Sequence, residues 1–248
     1  MNRRILMQML GLAVAAMLLG GCFDNSITRN FKIIATAVVD GQEVQGSTVM
    51  KITWTEAHTN RGNYVDAEGE ALILDLKQHG TVYVLSARID DENRWCCGWM
   101  STIGFVLDVK ENGNAAEFPK IANAKGRYVI PHSNWGQTTQ VIVAFHDETR
   151  KDSAYRILPT EFEKVFGSRF SFKSLEFEPT EEPVTHAISQ RLPMLNIEDP
   201  NNSYAPPIIP GHLKAYSKQT FLEQMRDSEF FIPGYGDKSF YSNRKYVK

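Results

Sequence analysis

The segment richest in reactive side chains runs from Trp95 to Met100 and places two adjacent cysteines between two tryptophans. Adjacent thiols have two ordinary outcomes. Cys96 and Cys97 either form a disulfide that closes a strained, easily reduced ring, or pack as free thiols on opposite faces of a strand. With Met100 they also make a set of soft sulfur ligands of the kind that Cu(I) prefers. The segment therefore predicts a thiol-redox pair, a copper site or plain packing, and these alternatives stay open.

The two tryptophans of the same segment have alternatives of their own. Buried indole rings contribute large apolar area to a core, whereas exposed rings suit stacking on a sugar or contact with a partner protein. Trp95 and Trp99 are therefore candidate binding residues, and packing in the core is the competing interpretation.

A second polar constellation, His146-Asp147-Glu148, follows an apolar run at residues 139–145. An imidazole and two carboxylates at the end of a strand could bind a divalent metal or perform acid–base chemistry. Polar residues also close apolar strands for solvation alone, and this second interpretation is favoured. An envelope hydrolase or metal-dependent enzyme that uses these three residues remains the alternative.

Local catalytic motifs are missing from the sequence. There is no Gly-x-Ser-x-Gly elbow, no His-Glu-x-x-His helix, no phosphate-binding loop and no dinucleotide fingerprint. The six histidines are scattered without the spacing of metal ligands. Catalytic groups can assemble from distant residues, so the scan disfavours an enzyme without excluding one. No catalytic residue, metal ligand or cofactor is predicted.

The first 22 residues have the organisation of an export signal. Arg3 and Arg4 precede an apolar run at residues 5–19 that only Gln8 interrupts, and small residues then lead to Cys22. A positive start, a short apolar stretch and a small-residue processing site mark such a signal. The run is shorter than the ~20 apolar residues of a membrane-spanning helix.

Leu19-Gly20-Gly21-Cys22 resembles the lipobox of bacterial lipoprotein precursors, although Ala or Ser is commoner where Gly20 stands. The resemblance covers residues 1–22 only. It implies that residues 1–21 are removed and that the Cys22 thiol receives a diacylglyceryl group. The new amino terminus is often acylated as well. Aspartate directly after the cysteine favours retention at the inner membrane in Gram-negative lipoproteins, and here that position is Phe23, which implies the outer membrane.

Composition limits the classes of partner. The chain has 27 basic and 29 acidic residues, with 42% hydrophobic and 23% charged residues. This near-balance argues against nucleic acid, whose phosphates require a basic face. It also argues against a polybasic membrane patch, so attachment to a membrane must come from lipid on Cys22.

Hydrophobic patterning predicts a mainly β protein. Short apolar runs rich in β-branched residues are separated by turn residues such as Asp40-Gly41, and they indicate an antiparallel, sandwich-like fold. The predicted strands lie at residues 31–39, 47–55, 70–76, 81–89, 103–109, 127–130, 139–145, 154–158 and 171–178.

The predicted organisation has four parts. Residues 1–21 are a signal peptide, 22–30 a tether, 31–158 the β-sandwich-like domain, and 159–248 a smaller α+β extension with a Pro-rich wrap. A capping-box pattern at Thr160 and a stop at Gly167 predict a short helix in the extension.

Together these features predict a lipid-anchored envelope lipoprotein of the outer membrane, on its periplasmic side or at the surface. We expect a non-enzymatic binding or structural module for an envelope protein or a polysaccharide. The covalent lipid on Cys22 is the only prosthetic group expected.

Overall fold

Two antiparallel β-sheets make up most of the part of the chain that the structure describes. The structure is a computed structural model, and the residues it describes are 25–56, 63–89, 95–96, 99–110, 113–131, 139–150, 153–193 and 231–232. Within these residues the predicted fold class, a mainly β protein with an antiparallel sandwich-like domain, is confirmed.

The first sheet has six strands in the order β11-β3-β2-β1-β10-β7. Their bounds are β1 (Asn25–Val39), β2 (Gln42–Glu56), β3 (Tyr64–Glu70), β7 (Tyr128–Ile130), β10 (Ser171–Thr180) and β11 (Phe231–Ile232). All of the pairings are antiparallel. The long β1–β2 hairpin turns at Asp40-Gly41, as predicted, with both residues at positive φ.

The second sheet follows the path β4-β5-β8-β9, and β6 also pairs with β5. Its strands are β4 (Leu72–Asp75), β5 (Thr81–Ile89), β6 (Trp95–Cys96), β8 (Thr139–Phe145) and β9 (Ala154–Ile157). Only Ala71 separates β3 from β4, so the chain passes from one sheet to the other in a single step.

The core fills the space between the sheets. Alternate residues of β1 from Phe31 to Val39 point inward and are buried, and they pack with the inner residues of β4, β5 and β8. Gly46 lets β4 cross closely over β2, because a side chain there would overlap the backbone carbonyl of Ile73. The outer face of the second sheet forms a smaller apolar cluster around Tyr83, which Ile188 helps to cover.

In the part of the chain that the structure describes, four short helices lie outside the sheets. They are α1 (Trp99–Val106), α2 (Phe118–Ala122), α3 (Phe162–Phe166) and α4 (Ile188–Arg191), and 3₁₀ turns occupy Lys77–His79, Ala115–Glu117 and Pro159–Glu161. Helix α3 ends at Gly167 as predicted. The predicted capping box at Thr160 is not formed; instead, the backbone N–H of Leu158 donates to the Glu161 carboxylate at 2.9 Å. None of the described helices has the length and apolar character needed to span a bilayer.

The strand predicted at residues 103–109 is wrong, because this stretch belongs to α1 and the turn after it. Its β-branched residues favoured a strand. However, Trp99, Ile103 and Leu107 are spaced four residues apart and all three are buried, whereas Phe105 is exposed. The helical period thus determines which side chains reach the core.

Two predicted boundaries differ from the observed sheet. Strand β1 begins at Asn25, so residues 25–30 of the predicted tether pair with β2. Strand β10 from the predicted extension pairs with β1 along most of its length, so residue 158 does not divide the first sheet. The Pro-rich stretch at residues 179–210 is described only as far as residue 193, and residues 194–230 and 233–248 lie outside the described residues.

Candidate functional site

An irregular stretch of β5 positions the segment that carries the cysteines. Val84 pairs with Ile142 and Arg88 with Gln140, so β5 has two more residues than β8 between these pairs. The buried Gln140 side chain donates a hydrogen bond to the carbonyl of Leu85 inside the irregularity. Bulges of this kind change the direction of a strand, and beyond this one β5 pairs with β6 at Arg88 and Ile89.

The cysteine segment is hydrogen-bonded to β5 both before and after Cys97. Strand β6 pairs Trp95 with Ile89 and Cys96 with Arg88. Beyond the cysteines, the backbone N–H of Trp99 donates to Ser86 Oγ at 3.0 Å. The structure describes the backbone of residues 95 and 96, whereas Cys97 lies outside the described residues. A Cys96–Cys97 disulfide therefore stays a prediction.

Trp99 belongs to the hydrophobic core, and Met100 packs against that core. The Trp99 side chain is fully buried, and Met100 is half-buried against the same core cluster. Core packing, the alternative that competed with ligand stacking, therefore holds for Trp99. Its indole Nε1 and that of Trp54 have no hydrogen-bond partner among the described residues.

The turn at His146-Asp147-Glu148 sends its three side chains to different partners. The Asp147 carboxylate accepts hydrogen bonds from the backbone N–H and the hydroxyl of Thr149, at 2.9 and 2.6 Å. The His146 ring stacks on Tyr155 with centroids 4.4 Å apart. Asp147 thus stabilises the turn itself, as side chains in Asx turns do, whereas His146 packs against β9.

Glu148 is engaged at the second sheet instead. Its carboxylate accepts a hydrogen bond from the Tyr83 hydroxyl at 2.9 Å and lies 3.0 Å from Arg191 Nη2, which also donates to Thr81 Oγ1 at 2.8 Å. Burial raises the pKa of Tyr83 well above its ordinary value, the Glu148 carboxylate adds to this, and Arg191 opposes it. Among the described residues, no cluster of three or more His, Cys, Asp or Glu side chains could hold a metal ion.

Sequence reasoning missed Glu70, a buried carboxylate at the end of β3. Its Oε2 accepts hydrogen bonds from the backbone N–H groups of Ala187 and Ile188, the latter at 2.9 Å. Its carbonyl accepts from Thr48 Oγ1, and Phe231 pairs with it in β11. Its position in an apolar stretch beside Ala71 and Leu72 was the available signal, but nothing local identifies its partners.

A second missed cluster joins the two sheets at one end of the sandwich. His79 Nε2 lies 2.8 Å from Asp40 Oδ2, and Arg169 donates to the Asp40 carbonyl at 2.6 Å. The His79 ring meets Phe170 edge-on, with centroids 4.8 Å apart. We call this end, formed by Asp40, Gly41, Lys77, His79 and Arg169, the hairpin end. Gln78 Nε2 also donates to Asp40 Oδ2 at 3.1 Å, so these contacts connect the β1–β2 turn to the 3₁₀ turn at Lys77–His79.

The opposite end of the sandwich is where the chain enters the fold. Asn25 Nδ2 donates to Glu56 Oε2 at 3.1 Å, and Glu56 Oε1 accepts from the backbone N–H of Ala115 at 3.3 Å. Arg29 donates to the carbonyls of Ile121 and Ala122. The first residues of β1 are thereby joined to β2 and to the segment around α2. Cys22 lies outside the described residues, three positions before Asn25.

Comparisons with known proteins add no relative. No protein family, no curated protein and no solved structure matches the chain.

Proposed function

We propose that this chain is a lipid-anchored bacterial envelope lipoprotein whose β-sandwich is a non-enzymatic binding or structural module. The observation that carries the proposal is the spacing between Cys22 and Asn25, which puts a lipobox cysteine three residues before the first paired residue of the sheet. A folded body directly after a lipid-modified residue is suited to display at a membrane surface. Attachment then depends on the acyl chains, since two or more hold a protein firmly.

The engagement of the polar side chains supports binding over catalysis. His146 stacks on Tyr155, Asp147 caps its own turn and Glu148 bonds Tyr83, so the three groups do not converge on one point where a substrate could react. General acid–base chemistry requires groups within hydrogen-bond reach of a shared substrate. We therefore assign these residues to the fold and expect an envelope protein or a polysaccharide as the ligand.

Location at the outer membrane is part of the proposal. It is supported by Phe23, which stands directly after the cysteine where aspartate would favour the inner membrane. The near-balance of basic and acidic residues supports attachment through the lipid rather than the choice of membrane, because it leaves the lipid as the means of attachment.

The test of anchoring compares two cysteine-to-serine variants. Cells that express the wild type, Cys22→Ser or Cys96→Ser are grown with a labelled fatty acid and fractionated. We expect label and membrane association in the wild type and in Cys96→Ser. In Cys22→Ser we expect no label and retention of residues 1–21. Maturation and membrane association of Cys22→Ser at wild-type levels would contradict the proposal.

The binding role is tested in crosslinked envelopes with tagged protein. We expect one stoichiometric envelope protein or a polysaccharide to be recovered with the wild type and to be depleted with Cys22→Ser, which is not anchored beside it. Recovery of no partner, together with turnover of a small substrate by the purified protein, would overturn the binding role.

A further inference from the structure

The short stretch of chain between Cys22 and the folded domain limits how far the domain can lie from the membrane surface. Asn25 is the third residue after Cys22, and an extended chain spans at most ~3.3–3.6 Å per residue, so the two Cα atoms are at most about 11 Å apart. Lipid on Cys22, which is part of the proposed function, holds that residue at the bilayer surface. The first residue of β1 must then lie within about the same distance of the lipid headgroups.

The start of β1 is built firmly into the sheet. Asn25 pairs with Glu56 in register, and their side chains share the 3.1 Å hydrogen bond described above. Further along, the hydroxyls of Thr28 and Thr53 are 2.9 Å apart, and Arg29 bonds two carbonyls of α2. Peeling residues 25–29 away to lengthen the tether would break all of these contacts. The short reach from Cys22 is therefore preserved while the fold is intact.

The side chains exposed at this end suit close approach to headgroups. We call the end formed by Asn25, Ser26, Asn63, Asn114 and Ala116 the anchor end. These five residues are uncharged, and all of them except the half-buried Asn114 are exposed. The half-buried Glu56 carboxylate lies beside them and accepts hydrogen bonds from Asn25 and from the backbone N–H of Ala115. In the segment that follows, Lys120 is paired with Glu117 at 2.7 Å and with Asp108 at 3.2 Å. Because Glu56 is half-buried and its carboxylate already accepts two hydrogen bonds, these described side chains offer anionic headgroups little repulsion.

We propose that the anchor end faces the lipid bilayer and that the hairpin end points away from it. Strand β1 has 15 residues, which at ~3.3 Å per residue puts its two ends roughly 45 Å apart. A body held at one end of this strand presents the Asp40-Gly41 turn, with His79 and Arg169 around it, toward whatever lies beyond the membrane surface. This inference rests on the proposed lipidation of Cys22.

The test places one nitroxide label at each end of the lipidated protein. The labelled positions are Ala116→Cys and Glu43→Cys, because both residues are exposed. Each is made in a variant whose Cys96 and Cys97 are replaced by serine, so that the label reacts at one position only. Proteins with native circular dichroism are reconstituted in phosphatidylethanolamine–phosphatidylglycerol vesicles that contain a lipid with a Ni²⁺-chelating headgroup. We expect relaxation enhancement by Ni²⁺ to be at least about twofold stronger at residue 116 than at residue 43, since their distances to the headgroups differ severalfold. Equal enhancement, or a stronger effect at residue 43, would overturn the inference.

A longer tether provides the matched control. Insertion of 20 Gly and Ser residues between Phe23 and Asp24 gives a flexible linker with a root-mean-square length of ~25 Å. We expect the vesicles to retain the protein and the difference between the labels to shrink toward zero. Persistence of the full difference would mean that the tether does not set the orientation. Absence of lipid from Cys22 in the purified protein is a separate result, which would remove the proposed function itself.

Discussion

The Glu70 carboxylate accepts a hydrogen bond from the backbone N–H of Ile188 at 2.9 Å, across 118 residues of chain. This contact fixes α4 at the point where β3 leaves the first sheet. Ile188 then packs with Tyr83 on the outer face of the second sheet. Earlier in the same segment, Thr185 exchanges hydrogen bonds with the backbone of Val49 in β2. Residues beyond the predicted boundary at 158 thus hold the two sheets together.

Replacement of Glu70 should loosen α4 specifically. Because its buried carboxylate satisfies the amides of Ala187 and Ile188, we expect Glu70→Ala to lower the free energy of unfolding by about 2–3 kcal/mol. Glu70→Gln keeps an acceptor oxygen and should cost less. Amide hydrogen exchange at residues 187 and 188 is the direct readout. Glu68→Gln, two residues away in a partly exposed ion pair with Lys51, is the control that should leave this exchange unchanged. Protection of both amides in Glu70→Ala would refute the role.

Tyr83 should make the protein less stable at alkaline pH. Its pKa is raised in the folded state, mainly by burial, so the native protein keeps a proton that the unfolded chain loses above its ordinary pKa near 10. Stability from this group is complete below pH ~10 and falls above it, by up to ~1.4 kcal/mol per pH unit.

Denaturant unfolding measured across this pH range checks the prediction with two variants. Tyr83→Phe should show a shallower loss of stability above pH ~10 than the wild type. Glu148→Gln should keep most of the pH dependence, because burial rather than the carboxylate is the largest cause of the pKa shift. Parallel curves for the wild type and Tyr83→Phe would rule out Tyr83 as the source.

Trp99 should matter for its volume and not for its indole N–H. The side chain is fully buried and its Nε1 has no partner among the described residues. We expect Trp99→Ala to cost about 3–5 kcal/mol and Trp99→Phe no more than about 2 kcal/mol, as measured by urea unfolding. Equal costs for the two variants would show that the N–H makes an important hydrogen bond.

The β1–β2 turn should separate the effect of conformation from that of charge at Asp40. Its φ of 52° is left-handed, a region that Asn adopts readily and Ala does not. We expect Asp40→Asn to cost at most ~1 kcal/mol, through loss of the contacts that its carboxylate makes with the partly exposed His79 and with the exposed Arg169. Asp40→Ala should cost about 1 kcal/mol more because of the backbone. Unfolding curves that coincide for both variants would contradict this division.

The strands that could be predicted from the sequence are those with a continuous β-branched run between turn residues. The bounds predicted for β5 and β8, residues 81–89 and 139–145, match the structure. Residues 103–109 predict a strand because Ile103, Val106 and Val109 have strand propensity, but the structure places the first four residues of this stretch in α1. The helical spacing of Trp99, Ile103 and Leu107 indicates a helix only once it is known that these three side chains reach the core.

The candidate site was less accessible to sequence reasoning, for a physical reason. The Tyr83–Glu148 hydrogen bond joins residues 65 positions apart in the sequence, and the Glu70–Ile188 hydrogen bond joins residues 118 positions apart. A local motif identifies a carboxylate or an imidazole but not the donor that the fold brings to it. This is why His146, Asp147 and Glu148 resembled a constellation in sequence and are divided among separate partners in space.

The central claim, that a lipid on Cys22 anchors this domain, is tested most directly by mass spectrometry of the amino-terminal peptide of protein purified from membranes. We predict a peptide that begins at Cys22 and carries the added mass of a diacylglyceryl group, with or without an acyl chain on its amine. A peptide that retains residues 1–21, or one in which Cys22 is an unmodified thiol, would contradict the claim.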